Sequence, residues 1–453
     1  MKRTLFIITL IILASCKTET KEVQSNENNM DSIAPISDES LENAIIYEAN
    51  IRQYSPEGTF AKFTKDIPKL KELGVKIIWV MPIYPISTTK SKGSLGSYYA
   101  ISDYIKVNPE FGNLEDVKNL VDTAHKNGMY VILDWVANHT GWDHVWLKNH
   151  PEYYTKNEKG EITHTVGTDW TDVADLNYDN LEMRAEMLED MKYWLKEVHV
   201  DGFRCDVAGM VPVDFWENSV AELKKIKPVF MLAEGWNPNL LENAFDMGYS
   251  WDTHHRMNAI AQGKETVKNW DARMAQIDTL YQKDDILMNF VTNHDENSWN
   301  GTVKERMGDA SEVMLALSYC APGMPLIYSG QEYDMNKRLL FFEKDTISKT
   351  KGKVWPLLVK LGELKNTNKA LSGGKNAASY TKIPSSDHKN ILIFSREKEG
   401  DKITFMANLS NKEVTFTSEK EGESIDFFSN EKFVFSKENP LTFKAWEYKI
   451  FIN

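Results

Sequence analysis

The sequence predicts an α/β protein: a (β/α)8 TIM barrel with a small subdomain inserted after the third strand, followed by an antiparallel domain at the C-terminus. Three observations predict it. Short apolar runs of strand length alternate with stretches of helical period from about residue 44 to residue 365. The alternation breaks once, between His139 and about Asp179, where a long polar and aromatic run is better read as an inserted subdomain than as slack loop. Beyond about Gly374 the apolar period falls to two, as in short antiparallel strands between polar turns.

The chain opens with Lys2 and Arg3, an apolar run from Leu5 to Leu13, and then Leu13-Ala14-Ser15-Cys16. That run is too short to span a bilayer and reads as an export signal. Small residues before Cys16 resemble the cleavage box of bacterial lipoproteins, which implies a signal peptide over 1–15 and a lipid anchor on Cys16. The alternative is an ordinary secretory signal with an incidental cysteine. The expected location is that of an exported lipoprotein of the outer membrane, on its periplasmic or its cell-surface face. Residues 16–40 are rich in Glu, Asn, Ser, Thr and Lys and read as a flexible tether.

The barrel is expected over 41–373. Ala44 to Asn50 is the first strand; Phe60 to Leu73 is helical, with Pro68 marking a kink or a first turn and Gly74 closing it. Val75 to Met81 is the second strand, and a helix from Leu114 to Asn127, capped by Asn113, leads to the third at Tyr130 to Asp134. After the insertion, Leu181 to Val198 is a helix and Gly202 to Asp206 the fourth strand. Val213 to Ile226 is helical and Val229 to Glu234 is the fifth strand. A sixth strand near Phe245 to Trp251 is weakly written, Ile286 to Thr292 is the seventh, and Pro325 to Tyr328, after a helix over Ala310 to Ala321, is the eighth. Val354 to Lys365 is the last helix. Residues 374–453 hold the strands Ile391 to Phe394, Ile403 to Met406, Val414 to Phe416 and Tyr448 to Phe451.

Composition narrows the function classes. With 53 Lys and Arg against 66 Asp and Glu, the net charge of −13 is a poor match to a phosphate backbone, so no nucleic-acid partner is expected. Past Cys16 only Cys205 and Cys320 remain, both in apolar stretches, and no disulfide framework is expected. Oligomeric state is not written in the sequence.

Active sites of such barrels lie at the C-terminal ends of the strands. Strands three, four, five and seven end in Asp134-Trp135-Val136-Ala137-Asn138-His139, Arg204-Cys205-Asp206, Glu234-Gly235-Trp236 and Asn293-His294-Asp295-Glu296-Asn297. Arg204 and Asp206 share a strand face. They are read either as a structural ion pair or as a nucleophile kept ionised by its neighbour. Carboxylates, histidines and an arginine around one opening, without a cysteine cluster, suit carboxylate acid/base chemistry of the kind that cleaves glycosidic bonds.

These four segments, in this order, resemble the signature regions of the α-amylase family, glycoside hydrolase family 13, and the resemblance spans nearly the whole mature chain. It implies that the C-terminal domain is a β-sandwich, that Asp206 is the nucleophile, Glu234 the general acid/base and Asp295 the stabiliser of the transition state. The local sequence is consistent with such a split. Apolar Leu232 and Trp236 flank Glu234 and favour its neutral form, while Arg204 favours ionised Asp206. A retaining outcome follows, with the two carboxyl groups roughly 5–5.5 Å apart.

By the same resemblance His139 and His294 hold hydroxyls of the sugar being cleaved, and Tyr99 stacks on its ring, although Tyr98 is also placed to do so. Trp135, Trp142, Trp170, Trp236 and Trp299 either line further subsites or belong to the core and lid. The chemistry needs no cofactor. A structural calcium ion is common in the family; Asn138 and Asp175 match two of its ligands, while Ala174 and Gly209-Met210 depart from the usual pattern. The implied substrate is an α-glucan such as starch, glycogen or maltooligosaccharides, cleaved at α-1,4 bonds. Cyclomaltodextrin or pullulan hydrolysis, α-1,6 cleavage and transglycosylation use the same catalytic parts. A non-catalytic glycan-binding relative would have lost one or more of the carboxylates that this chain keeps.

Overall fold

Eight parallel strands close into a barrel in the computed structural model, which describes residues 33–453. The expected signal peptide, Cys16 and most of the expected tether lie outside the described residues. The strands are β1 (Ile46–Ala49), β2 (Ile77–Val80), β3 (Tyr130–Trp135), β4 (Gly202–Cys205), β5 (Phe230–Ala233), β6 (Met247–Tyr249), β7 (Ile286–Asn289) and β8 (Met324–Tyr328). β8 closes the ring on β1 with Ile46 opposite Leu326. The weakly written sixth strand is real. It is only three residues long and pairs with both neighbours, Met247 lying opposite Leu232 and Ile286.

Alternation along each strand sorts the apolar residues into two layers. Ile46, Ile77, Ile132, Leu232, Met288 and Leu326 fill the barrel, whereas Ile78, Val131, Phe203 and Met231 face the surrounding helices. β4 starts at Gly202, where φ is +152° and a Cβ would lie 1.8 Å from the carbonyl oxygen of Phe230, so only glycine lets β4 approach β5 so closely. The helix Leu114–Lys126 forms as its sequence predicts: Asn113 and Asp116 make a reciprocal capping box, and Val117, Leu120, Val121 and Ala124 are its buried face.

Two expectations are corrected. The helix Asp38–Glu42 occupies the end of the expected tether; Ser37 caps it, and Ile36 and Leu41 pack into the barrel interior cluster. The predicted helix from Phe60 to Leu73 is broken into Phe60–Thr64, Ile67–Leu70 and a 3-10 turn, because Pro68 starts a new helix where it has no N–H to contribute. The C-terminal domain is antiparallel, as expected, and packs on the barrel helices. It is a six-stranded antiparallel sheet with the pair Val414–Phe416 and Leu441–Phe443 on one face. On the other face Leu392, Phe394, Ile403 and Phe405 join the core of the barrel helices. The strands Gly422–Asp426 and Lys432–Phe435 were not legible, since both carry exposed polar residues and Val434 points to solvent.

The insertion begins and ends in a two-stranded ribbon, His139–Gly141 paired with Val173–Asp175. That ribbon sets the insertion beside the mouth of the barrel, one residue past Asn138.

Candidate active site

At the C-terminal end of the barrel the interior changes from apolar to charged. Glu48 of β1, Asp134 of β3 and Arg204 of β4 point inward and are fully buried. Above them opens a cavity of about 610 Å³ whose lining includes Tyr99, His139, Asp206, Glu234, His294 and Asp295. The three acids and two histidines singled out in the sequence therefore share one chamber, and Tyr99 rather than Tyr98 joins them. Tyr98 is turned into the wall, where its hydroxyl donates to Asn50 at 3.2 Å and Arg52 lies 4.3 Å from its ring.

Arg204 organises the floor. Its Nη1 donates to Asp134 Oδ1 at 2.9 Å and to Asp206 Oδ1 at 3.0 Å, and its Nε to the Tyr249 hydroxyl at 3.2 Å. Nη2 lies 3.0 Å from Glu234 Oε2 but out of line for a hydrogen bond. The guanidinium also lies over the Trp79 ring, 4.8 Å from its centre. Such a buried cation is tolerable because carboxylates surround it, and they raise its proton affinity further.

The electrostatic split between Asp206 and Glu234 runs opposite to the sequence expectation. Burial, and next the neighbouring Glu234 charge, push the Asp206 carboxyl well above its ordinary range. Glu234 is held below its ordinary value despite burial, because Arg204 and the Val207 amide stabilise its charged form. That amide donates to Glu234 Oε2 at 2.7 Å. Trp236, expected to keep Glu234 neutral, is half exposed and does not line the cavity. Val207 adopts a left-handed conformation, φ +36° and ψ +45°, which is strained for a β-branched residue and aims its N–H at the acid.

His294 Nδ1 pairs with buried Glu48 Oε1 at 2.5 Å, while its Nε2 meets the Tyr99 hydroxyl at 2.8 Å and Asp295 Oδ2 at 3.3 Å. Against the cost of burial, the Asp295 and Glu48 carboxylates bring its pKa up to about 9. His139 has no such partner, and burial brings it down to about 4, so the ring is neutral. One histidine is charged and the other is not, although both end barrel strands. Tyr99 stacks on His294 with ring centres 5.4 Å apart and donates to Asp134 at 3.1 Å.

The five tryptophans divide. Trp135 is core, stacked on Tyr104; Trp142 braces the insertion by donating to the Thr171 carbonyl; Trp236 does not line the cavity. Trp170 and Trp299 do line it, joined by Phe341 and Phe342. Sequence reasoning missed the two phenylalanines, Lys92 and Glu48. A lone carboxylate in the apolar run Ile45-Ile46-Tyr47-Glu48-Ala49 was the signal for Glu48; the loop residues left none.

Asn138 and Asp175 also come together. Thr165 joins them, accepting from Asn138 Nδ2 at 2.9 Å and donating to Asp175 Oδ1 at 2.7 Å. Among the described residues no group of three or more His, Cys, Asp or Glu side chains is placed to hold a metal. One amide and one carboxylate, already engaged with Thr165, fall short of the six to eight oxygens that calcium takes.

The chain is similar to known proteins over most of its length. The profile described as alpha amylase, catalytic domain, matches residues 24–164 and 165–355, and that of the maltogenic amylase C-terminal domain matches 381–450. Alpha-amylase 3 of Dictyoglomus thermophilum is 26 % identical, the match covering 83 % of this chain and 86 % of that protein. Among solved structures, the maltogenic α-amylase AmyB of Thermotoga neapolitana superimposes with a TM-score of 0.83 at 30 % identity, over 91 % of this chain and 99 % of that one. An α-amylase from Lactobacillus plantarum does so with a TM-score of 0.82 at 32 % identity, with the same coverage of 91 % and 99 %.

Proposed function

The chain belongs to the α-amylase family of glycoside hydrolases, and from that premise we propose that it is a retaining α-glucan hydrolase cleaving α-1,4 bonds of starch, glycogen or maltooligosaccharides. The observation that carries this reading is the convergence of Asp206, Glu234 and Asp295 on one cavity, with the first two each 3.0 Å from a single guanidinium. Sharing one guanidinium holds the two carboxyl groups near each other, which supports a double displacement, where they stand roughly 5–5.5 Å apart, over an inversion.

In the proposed sequence Asp206 attacks the anomeric carbon while Glu234 gives its proton to the leaving oxygen; the glycosyl–Asp206 ester is then hydrolysed by a water that returns its proton to Glu234. In the free enzyme, burial and the neighbouring charges favour a proton on Asp206 over one on Glu234. A sugar that lifts Glu234 off Arg204 and the Val207 amide leaves the guanidinium to Asp206 and moves the proton to Glu234, where the first step needs it. Asp295, half open at the mouth, faces the positive charge that develops on the ring. Tyr99 offers its ring face, charged His294 donates to hydroxyls, and neutral His139 can donate or accept.

The family's chemistry runs on carboxyl groups and needs no cofactor. A structural calcium ion would use Asn138 and Asp175, but the set is too small as it stands and no step depends on it. We further propose, from the basic, apolar and Leu-Ala-Ser-Cys segments of the first sixteen residues, that the chain is an exported lipoprotein anchored through Cys16 in the outer membrane. Metabolic palmitate labelling, lost in Cys16→Ser, tests that.

Following the product anomer by NMR with maltoheptaose tests the mechanism. A first-formed α-anomer is expected, and a β-anomer would remove Asp206 from the role of nucleophile. Product profiles on amylose, pullulan, cyclodextrin and maltooligosaccharides separate the amylase reading from cyclomaltodextrin-, pullulan- or α-1,6-directed hydrolysis and from transfer.

A further inference from the structure

One segment, residues 87–96, ties the insertion to the loop after β8 and walls the cavity on the Tyr99 side. Toward the insertion, Asp143 Oδ2 accepts from the Thr88 and Thr89 amides at 2.8 and 3.2 Å. The Lys90 ammonium sits 3.1 Å from the centre of the Trp142 ring. Lys92 Nζ reaches Asp172 Oδ1 at 3.0 Å and the Asp169 carbonyl at 2.9 Å. In the other direction, the Ser94 amide donates to Glu343 Oε1 at 2.8 Å, the Ser94 hydroxyl to Glu343 Oε2, and the Leu95 amide to the Phe342 carbonyl at 3.0 Å. Buried Arg52 pins the end of the segment through the Leu95 and Gly96 carbonyls at 3.2 and 3.1 Å. The fit is tight: at Gly93, φ +65°, a Cβ would lie 2.4 Å from Phe342 Cβ.

The opposite flank is built differently. Beyond Glu234 and Val207 no residue of 208–212 or 235–243 lines the cavity, and Met210 and Trp236 are half exposed. The lining thus includes Tyr99, Lys92, Phe341 and Phe342 from the segment and its neighbours, and nothing from the loops that follow Val207 and Glu234.

We infer that the segment 87–96 is an end-stop that makes this hydrolase act from the non-reducing ends of its glucan chains, releasing short products of fixed length. The inference rests on the proposed catalytic roles. Glu234 protonates the leaving oxygen, so the departing chain, with its reducing end, lies on the Glu234 side, which is open. The ring bound to Asp206 and held by Tyr99 and His294 lies on the other side, and the glucosyl units preceding it run into the Lys92–Asp172 bridge, which the Ser94–Glu343 contact braces from behind. The chain can enter only end first, and Lys92, a half-buried ammonium among aromatic rings, is placed to donate to the hydroxyls of the terminal unit.

The experiment compares two chromogenic maltoheptaosides, one with a free non-reducing end and one whose terminal 4- and 6-hydroxyls are blocked as a benzylidene acetal, on the full native chain. The free-ended substrate is expected to have a kcat/KM greater on the order of a hundredfold. Lys92→Ala combined with Glu343→Ala is expected to bring the two substrates within about tenfold of each other by opening the wall. Equal turnover of both by the native enzyme overturns the end-stop. Cleavage of neither overturns the glucan reading itself, and the inference with it. Because the decisive comparison uses the native protein, it stands whether or not the double variant folds.

Discussion

Arg204 Nη2 lies 3.0 Å from Glu234 Oε2, so the cation expected to serve Asp206 also favours the charged form of Glu234, the proposed acid/base. The same guanidinium contacts Asp134 and Asp206. A lysine at this position presents a point charge in place of a planar fork and cannot span three carboxylates. Arg204→Lys is expected to lose about 3 kcal/mol or more of stability, as buried ion pairs do when one partner is removed, and to lower kcat by orders of magnitude. Urea unfolding and steady-state kinetics measure the two effects.

Removing the charge of Asp206 separates stability from activity. Burial and the Glu234 charge raise its folded pKa above the unfolded value. Its contribution to stability is present below the unfolded pKa and lost as pH rises, so at neutral pH the buried, crowded carboxyl costs stability whether it carries a proton or a charge. Asp206→Asn is therefore expected to melt higher at pH 7, by roughly 1–2 °C per kcal/mol relieved. It should still bind maltooligosaccharides by calorimetry, with turnover reduced by orders of magnitude. A lower melting temperature would contradict the electrostatic account.

The two histidines predict the edges of the stability profile. His294 titrates at about 9 against 6.5 when unfolded, so its stabilisation is complete below pH 6.5 and disappears as pH rises through about 9. His139 titrates at about 4, so the stability tied to its neutral form is present above pH 6.5 and falls away as pH drops toward 4. Melting temperatures from pH 4 to pH 10 should fall at both edges. Glu48→Gln removes the carboxylate paired with His294 Nδ1 and should bring the alkaline edge down toward neutral pH.

Thr165 in place of a metal gives a removal test. If its hydroxyl is what joins Asn138 to Asp175, EDTA should leave the melting temperature within about 1 °C, while Thr165→Val should cost about 1–2 kcal/mol by orphaning both partners. A clear drop with EDTA, restored by calcium, would show that an ion completes the site.

Stability at the seam with the C-terminal sheet should be independent of catalysis. Buried Arg396 donates to the carbonyls of Ala321, Ser372 and Ala378 at 3.2, 2.7 and 3.3 Å, and buried Lys365 to those of Gly323 and Leu371. Arg396→Met leaves the buried carbonyls of Ala321 and Ala378 without this donor, while that of Ser372 keeps the Ala378 amide, and is expected to cost about 2–3 kcal/mol with KM unchanged. A change in KM would mean that the seam communicates with the cavity.

The sequence by itself determined the barrel, the place of the insertion and which acids stand at the ends of its strands, because those features depend on local regularities. Apolar runs such as Ile77-Ile78-Trp79-Val80 repeat at strand length, helices carry caps such as Asn113, and polar residues stand where Asp134, Asp206, Glu234 and His294 end strands. Tertiary structure alone decided how burial and Arg204 act on Asp206 and Glu234, which of Tyr98 and Tyr99 faces the cavity, why His294 is charged and His139 is not, and that residues 87–96 join the insertion to the loop after β8. Each of these depends on distances between residues far apart in the chain. Glu48 and His294 are 246 positions apart yet 2.5 Å in space, and electrostatic energy depends on that separation and on burial, neither of which any stretch of sequence carries.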